Sequence, residues 1–410
     1  MRALSVLPAM IALSACAVVP SVEGPPRAPP PATPPAPVTQ SPPEPAWPTP
    51  PVRVGAEAVS ARDAGLYPGP DIGALLASAG YDTVREGEAD AARRSFIESC
   101  PALLSRSDSS GIAADWTRAC AAAPGYAGSA SRFFREFFET AIVGGNDGFV
   151  TGYFEPRIAG VRNRQPGFDV PVYGMPTDLV RQSDYAGGGR APLGRYEDGR
   201  FVPYFERAEI VAGALDGRAP VIAWAADAID FFFLQIQGSG QLIAPDGSVL
   251  RIGYAGQNGR GYTAIGRTLR ERGVFAPGEA TMQGIVDWLR ANPGEADAIM
   301  NENQSWVFFR ELTGDGPLGA LGVPVRPRVS VAADPRFTPL GAPVWIDAAN
   351  DRADGLWIAQ DTGGAIKGAG RFDTFWGAGE MAKATAGAMS SEARTLLLLP
   401  KGTLARIAPR

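Results

Sequence analysis

The chain has 410 residues, 45% of them apolar and 20% charged, and it contains no histidine. That length accommodates two domains with a sizeable core, while the missing imidazole excludes Ser-His-Asp and Cys-His catalysis, His-ligated zinc and a histidine proton shuttle. A net charge of −5, from 38 basic and 43 acidic residues, gives no basic footprint for a nucleic-acid partner, and none is expected.

Acid/base chemistry in such a chain falls to Asp, Glu, Tyr, Lys or Cys. Residues 1–16 read MRALSVLPAMIALSAC. Arg2 supplies the charge and Leu4 to Leu13 an apolar stretch too short to span a membrane but suited to a signal-peptide core. Leu13-Ser14-Ala15-Cys16 resembles the bacterial lipobox, with Cys16 as the lipidated first residue after cleavage; an ordinary secretory signal is the alternative. Residues 17–53 follow as a tether. Fifteen of the 38 prolines lie between Pro20 and Pro51, and such a run is held extended because proline cannot donate to helix or sheet ladders.

The region from about Val54 to Val143 has a helical pattern. Its clearest segment begins at Ser131, a candidate N-cap, and places Phe133, Phe134, Phe137, Phe138, Ala141 and Ile142 on one apolar face. Cys100 and Cys120 remain as a pair in an oxidising compartment, which favours a disulfide over two buried thiols.

From Phe149 to about Gly261 strands dominate the pattern, among them Val221–Trp224, Ile229–Ile236 and Ser248–Ile252, with Pro245-Asp246-Gly247 as a hairpin turn. Helices are expected near Tyr262–Glu271 and Met282–Ala291. Strands then return at Arg328–Ala332, Pro343–Ile346 and Leu356–Ala359. Short strands separated by Gly and Pro turns point to barrels and away from a doubly wound sheet.

The strongest chemical signal is the run from Gln360 and Asp361 through Thr-Gly-Gly-Ala-Ile-Lys367-Gly-Ala-Gly-Arg371-Phe to Asp373. Two carboxylates bracket a glycine-rich loop against which a ligand could lie closely. Lys367 is placed to hold or orient one of them, and Asp334 stands upstream in an Ala-Asp-Pro turn. Trp345, Trp357, Phe375 and Trp376 are nearby in sequence and offer faces on which sugars stack. No phosphate-loop pattern is present, because Gly368 follows Lys367. The bland reading, turn caps and tight barrel connections, stays open on these residues alone.

Those residues, with Thr151-Gly-Tyr-Phe-Glu-Pro156, Gln235-Ile-Gln-Gly-Ser-Gly240, Tyr254-Ala-Gly-Gln-Asn-Gly259, Tyr262-Thr-Ala-Ile-Gly266 and Asn303-Gln-Ser-Trp-Val-Phe-Phe309, resemble the membrane-bound lytic murein transglycosylase A family. The resemblance covers most of residues 150–390. The central segments carry its specificity, since other wall-active proteins share a three-aspartate module.

The resemblance implies a mainly β fold with peripheral helices. A double-psi β-barrel domain, residues 54–155 with 311–410, would be interrupted by a second, smaller β-barrel-like domain, residues 156–310, with a glycan groove between them. It implies non-hydrolytic cleavage between N-acetylmuramic acid and N-acetylglucosamine, leaving a 1,6-anhydro end, with no cofactor and no metal. Asp373 is the expected general acid/base, although Arg371 beside it would depress its pKa and leaves Asp361 as the competing choice. Tyr153, Gln237, Ser239, Tyr254 and Asn258 are candidates for glycan hydrogen bonds, along with Lys367 and Asp334. The expected partners are peptidoglycan glycan strands, the outer membrane through a lipid anchor on its periplasmic face in a Gram-negative bacterium, and cell-wall synthesis proteins. A two-carboxylate glycoside hydrolase and a non-catalytic wall-binding barrel are the alternatives.

Overall fold

Short strands leave unpaired backbone edges, and closing a sheet into a ring removes them. The computed structural model describes residues 65–407 apart from 106, 109–110, 146, 188–190, 277–278 and 315. The signal peptide, Cys16 and the Pro-rich tether lie outside the described residues. Six strands close such a ring in the order Gly148–Glu155, Arg371–Ala378, Ser330–Ala333, Gly355–Asp361, Pro343–Ala348 and Ser390–Pro400, and the last pairs back onto the first. Two neighbouring pairs are parallel, 148–155 with 371–378 and 330–333 with 355–361. The other four are antiparallel. Phe138–Val143 and Leu66–Pro68 extend the sheet from the long final strand.

Strand alternation sorts the residues of this ring onto two faces. Val150, Phe372 and Ala333 fall on one face and enter the main core with Phe96, Trp116 and Phe133 from the helices Glu86–Leu103, Ala113–Ala122 and Ala130–Phe137. Cys100 and Cys120 are disulfide-bonded, with Cα atoms 5.6 Å apart, tying the first two of those helices together. Tyr153, Ala332 and Phe375 face the other way and form a small cluster with Val325 and Ile366. Gly152 allows the helix Glu380–Ala388 to lie on the strand behind this face. A Cβ at that position would stand 2.8 Å from Ala386 Cα and 2.9 Å from Trp376 Nε1.

A second sheet is built wholly from strands between residues 157 and 311. Its order is Val307–Glu311, Val249–Gln257, Ser239–Ile243, Arg157–Val161, Val221–Ala225 and Val170–Tyr173. Ile158, Val172, Leu242, Ile252, Phe308 and Phe309 fill its core. The helices Ile265–Glu271, Met282–Ala291 and Pro293–Asn301 pack separately around Phe232, Phe233, Leu269 and Leu289. The two sheets are fastened where they meet. Glu155, buried at the end of its barrel strand, accepts hydrogen bonds from Gln241 Nε2 at 2.7 Å and Arg251 Nη2 at 3.1 Å. Arg157 Nε donates in turn to Gln241 Oε1 at 3.1 Å.

The architecture is mainly β with peripheral helices, but two local expectations are corrected. Ile229–Ile236 is not a strand: Ala228–Gln237 is a helix, capped by the Asp227 carboxylate on Asp230 N–H and ended by left-handed Gly238. Phe231 and Leu234 enter one core while Phe232 and Phe233 enter another. A helix buried on opposite sides has a continuous apolar run, which periodicity cannot tell from a buried strand. The phenylalanine-rich helix ends at Phe137 and is capped by Ser129, not Ser131; Phe138, Ala141 and Ile142 lie on the following strand. Its apolar face continues because the strand packs into the same core.

Candidate active site

Register places the two carboxylates of the glycine-rich motif. Ala332 pairs with Asp373 on one side and with Asp361 on the other, so the carboxylates stand two strands apart, roughly 10 Å at their Cα atoms. Thr151 is directly opposite Asp373 on the neighbouring parallel strand. Tyr153, two positions further along, lies on the same face and reaches Asp361 Oδ2 with its hydroxyl at 3.1 Å. The site is thus assembled from strands more than 200 positions apart in the chain.

The two carboxylates differ in what their oxygens do. Asp361 Oδ1 accepts the backbone N–H groups of Thr362 at 2.8 Å and Ala320 at 2.9 Å, and Oδ2 accepts the Tyr153 hydroxyl. Asp373 Oδ1 accepts the Thr151 hydroxyl at 2.6 Å, and no described residue donates to Oδ2. Burial pushes Asp361 up to about 6 against the pull of Thr362, Ala320 and Tyr153. It also pushes Asp373 up to about 6; Thr151 and Arg371 pull downward and Asp361 adds a smaller upward push. The depressing influence expected of Arg371 is present but outweighed. Tyr153 is raised well above its ordinary value by burial first and then by Asp361 and Asp373, so its hydroxyl stays a proton donor.

A raised carboxyl pKa has a definite consequence for stability. The contribution is fully present below the unfolded value near 4 and is lost as pH rises through about 6. Asp373→Asn, which cannot ionise, is therefore expected to unfold later than the wild type at pH 8, by about 1–2 kcal/mol after allowing for partial solvent access. The gap should close by pH 4. Calorimetry at the two pH values checks this, and equal midpoints at pH 8 would contradict it.

Other expected site residues divide by what they touch. Asp334 is 1% exposed. It is held by Arg336 Nη2 at 2.6 Å and by the N–H of Gly368 at 2.8 Å. Burial pushes its carboxyl up, yet Arg336 and Gly368 together bring it below the ordinary range. These contacts pin the end of the glycine-rich loop. Asn258 is fully buried and spends all four hydrogen-bonding positions on Phe205, Gln304, Arg260 and Trp306 backbone groups. Gln237 Oε1 accepts the Phe154 N–H, leaving its amide donors. Ser239 is partly exposed and Tyr254 half-exposed. Lys367 is exposed and pairs with neither aspartate. The aromatic faces expected for sugar stacking are corrected: Trp345, Trp357 and Phe375 are core residues, and Trp376 is only partly accessible. Proximity in sequence put them beside the motif, but strand alternation or packing turned them inward.

Two neighbours of Asp373, Thr151 and Tyr262, are not among the expected site residues although both lie in the family-like segments. Thr151 was detectable by the two-residue strand period from Tyr153. Tyr262 lies between the strand Val249–Gln257 and the helix Ile265–Glu271 and is exposed beside the motif. A Cβ on Gly364 would touch its Cβ at 3.7 Å. Burial, and then the charge of Asp373, raise its phenol pKa. No local pattern in the sequence announces that contact.

Residues 149–310 match a family model described as the MltA specific insert domain, and residues 329–399 match one described as the 3D domain. A membrane-bound lytic murein transglycosylase A of Vibrio cholerae is 33% identical over 264 residues, 61% of this chain and 66% of that protein. One of Escherichia coli is 34% identical over 278 residues, 64% and 69% respectively. The chain thus aligns with about two thirds of the length of these curated relatives. A membrane-bound lytic murein transglycosylase structure from Agrobacterium tumefaciens superimposes with a TM-score of 0.68 at 31% identity, covering 77% of this chain and 94% of that one. The structure of E. coli MltA with bound chitohexaose gives 0.59 at 27% identity, covering 77% and 90%. With its insert, its three-aspartate module and its fold all matched, this chain belongs to the membrane-bound lytic murein transglycosylase A family.

Proposed function

We infer that the chain acts, as its family does, as a lytic murein transglycosylase, and we propose Asp373 as its single acid and base. The observation that carries the assignment is the contrast between the two carboxylates. Asp361 has both oxygens engaged, while no described residue donates to Asp373 Oδ2; burial pushes both carboxyls up to about 6. A carboxyl raised to that value is substantially protonated under mildly acidic conditions and can give a proton to a leaving group.

The bond cut is the β-1,4 link from N-acetylmuramic acid to N-acetylglucosamine. Asp373 Oδ2–H protonates the glycosidic oxygen as the C1–O bond breaks, giving an oxocarbenium-like state. The C6 hydroxyl of the same muramic acid then bonds to C1, and its proton returns to the Asp373 carboxylate. The ring closes as a 1,6-anhydro sugar and no water is consumed. A nucleophile already attached to the substrate has a high effective concentration, so a second catalytic base is unnecessary. Asp361, fixed by the Tyr153 hydroxyl and two backbone N–H groups, supports the strand face beside Asp373.

Glycan strands are the proposed ligand, supported by the chitohexaose bound to the E. coli relative. Residues 156–310 would then form an inserted groove domain and residues 54–155 with 311–410 the barrel domain, supported by the separation of the sheets. Tyr254, Ser239 and the Gln237 amide are the candidate contacts from the inserted side. We further propose attachment to the periplasmic face of the outer membrane through lipidated Cys16; no helix among the described residues is long and apolar enough to cross a membrane. Digestion of purified sacculi followed by mass spectrometry tests the reaction. Products lighter by one water than reducing-end muropeptides are expected. Reducing ends would point to a two-carboxylate hydrolase, and no release at all to a binding module.

A further inference from the structure

The strand face that carries Asp373 also carries a one-way chain of hydrogen bonds. Arg371 lies two positions before Asp373 and pairs in register with Phe149, while Thr151 pairs with Asp373. Arg371 Nη2 donates to Thr151 Oγ1 at 2.9 Å, and Thr151 Oγ1 donates to Asp373 Oδ1 at 2.6 Å. The guanidinium is itself fixed. Its Nη1 donates to the carbonyl of Phe372 and, at 3.4 Å, to that of Phe149, and it lies 5.5 Å over the Phe149 ring.

Direction follows from the donor inventory. Guanidinium has no acceptor, so the Thr151 oxygen must receive the Arg371 proton. The hydroxyl then has a single hydrogen left, and Asp373 Oδ1 is where it points. A proton placed on Oδ1 would make that oxygen a poorer acceptor for the Thr151 hydroxyl 2.6 Å away, so the hydrogen bond favours the proton on Oδ2. We propose that Thr151, oriented by Arg371, is a positioning residue that confines the exchangeable proton of Asp373 to Oδ2, the oxygen left open to substrate. This rests on the reading of Asp373 as the acid.

The same hydrogen bond favours the ionised carboxylate, since a donor to a charged oxygen is stronger than one to a neutral acid. It therefore works against burial and sets how far the acid's pKa rises. The other groups facing Asp373 are Tyr153 on the Thr151 strand, Arg371 on its own strand, Asp361 across Ala332 and Tyr262 from the helical side. Arg371 is the cation among them.

The test uses the full-length protein on purified sacculi, with kcat, KM and the pH profile measured for Thr151→Val, Thr151→Ser and Asp373→Asn. Valine keeps the shape of threonine and removes the donor. Thr151→Val should lower kcat by about 10–100-fold, the scale of loss when a reacting group is misaligned, with KM little changed. Its alkaline limb should move to higher pH, because the carboxylate has lost a stabilising donor. Thr151→Ser restores the hydroxyl and should recover both values. Unchanged kcat and pH limb in Thr151→Val, or a change confined to KM, would overturn the proposal while leaving Asp373 as the acid. Substantial activity in Asp373→Asn would overturn the acid assignment itself. If Thr151→Val does not fold, Arg371→Met carries the same test: a fall in kcat with unchanged KM supports the proposal, and unaltered kcat rejects it.

Discussion

Asparagine in place of Asp373 is expected to give a folded protein whose rate of sacculus digestion is lower by about 10²–10⁴-fold, the usual contribution of a positioned general acid. The amide keeps the shape of the side chain and can still accept the Thr151 hydroxyl through its oxygen. What it loses is the transferable proton on Oδ2, to which no described residue donates. Asp361→Asn is expected to cost much less, about 10-fold. Its amide oxygen can still accept the N–H groups of Thr362 and Ala320, and the Tyr153 oxygen can accept from the new amide nitrogen. Initial rates of muropeptide release, with circular dichroism to show that both variants fold, decide the matter. The reverse order of losses would move the acid to Asp361.

The second large effect lies away from the chemistry. Glu155→Ala is expected to destabilise the protein by about 3 kcal/mol, at the lower end for a broken buried ion pair because Arg251 keeps some solvent access. Truncation leaves Gln241 Nε2 and the Arg251 guanidinium without their shared carboxylate, where the two sheets meet. Glu155→Gln should cost less, since its amide oxygen can still accept one of the two donors. Denaturant unfolding measures the difference. An unfolding midpoint for Glu155→Ala equal to that of the wild type would show that this carboxylate does not fasten the sheets.

How much of this was legible in the residues depends on distance along the chain. Asp361 and Asp373 could be singled out because the glycines between them are a local pattern, and the strands carrying them are short, apolar and bounded by turns. Thr151 could not be attached to Asp373, because they are 222 positions apart and meet only through a parallel pairing. Arg371 posed a question that sequence alone could not answer. Its charge pulls the carboxyl down, while burial, a tertiary property, pulls harder in the opposite direction. Asn258 illustrates another limit: a polar residue after a strand suits a ligand or a turn equally well, and only its four backbone partners decide between them. Ile229–Ile236 reads as a strand because two different cores bury the apolar residues of the helix Ala228–Gln237 and erase its amphipathic signal.

The final strand of the ring, Ser390–Pro400, pairs with three others and is what makes the barrel continuous. It is also the last of the ring's six strands in chain order. Asp373 and Thr151 are brought together only when the C-terminal segment docks beside strands made more than 200 residues earlier. A partly synthesised chain therefore has no assembled acid, although its middle section has a core of its own. That order of events delays assembly of the site until the barrel strands on both sides of the middle section have been made.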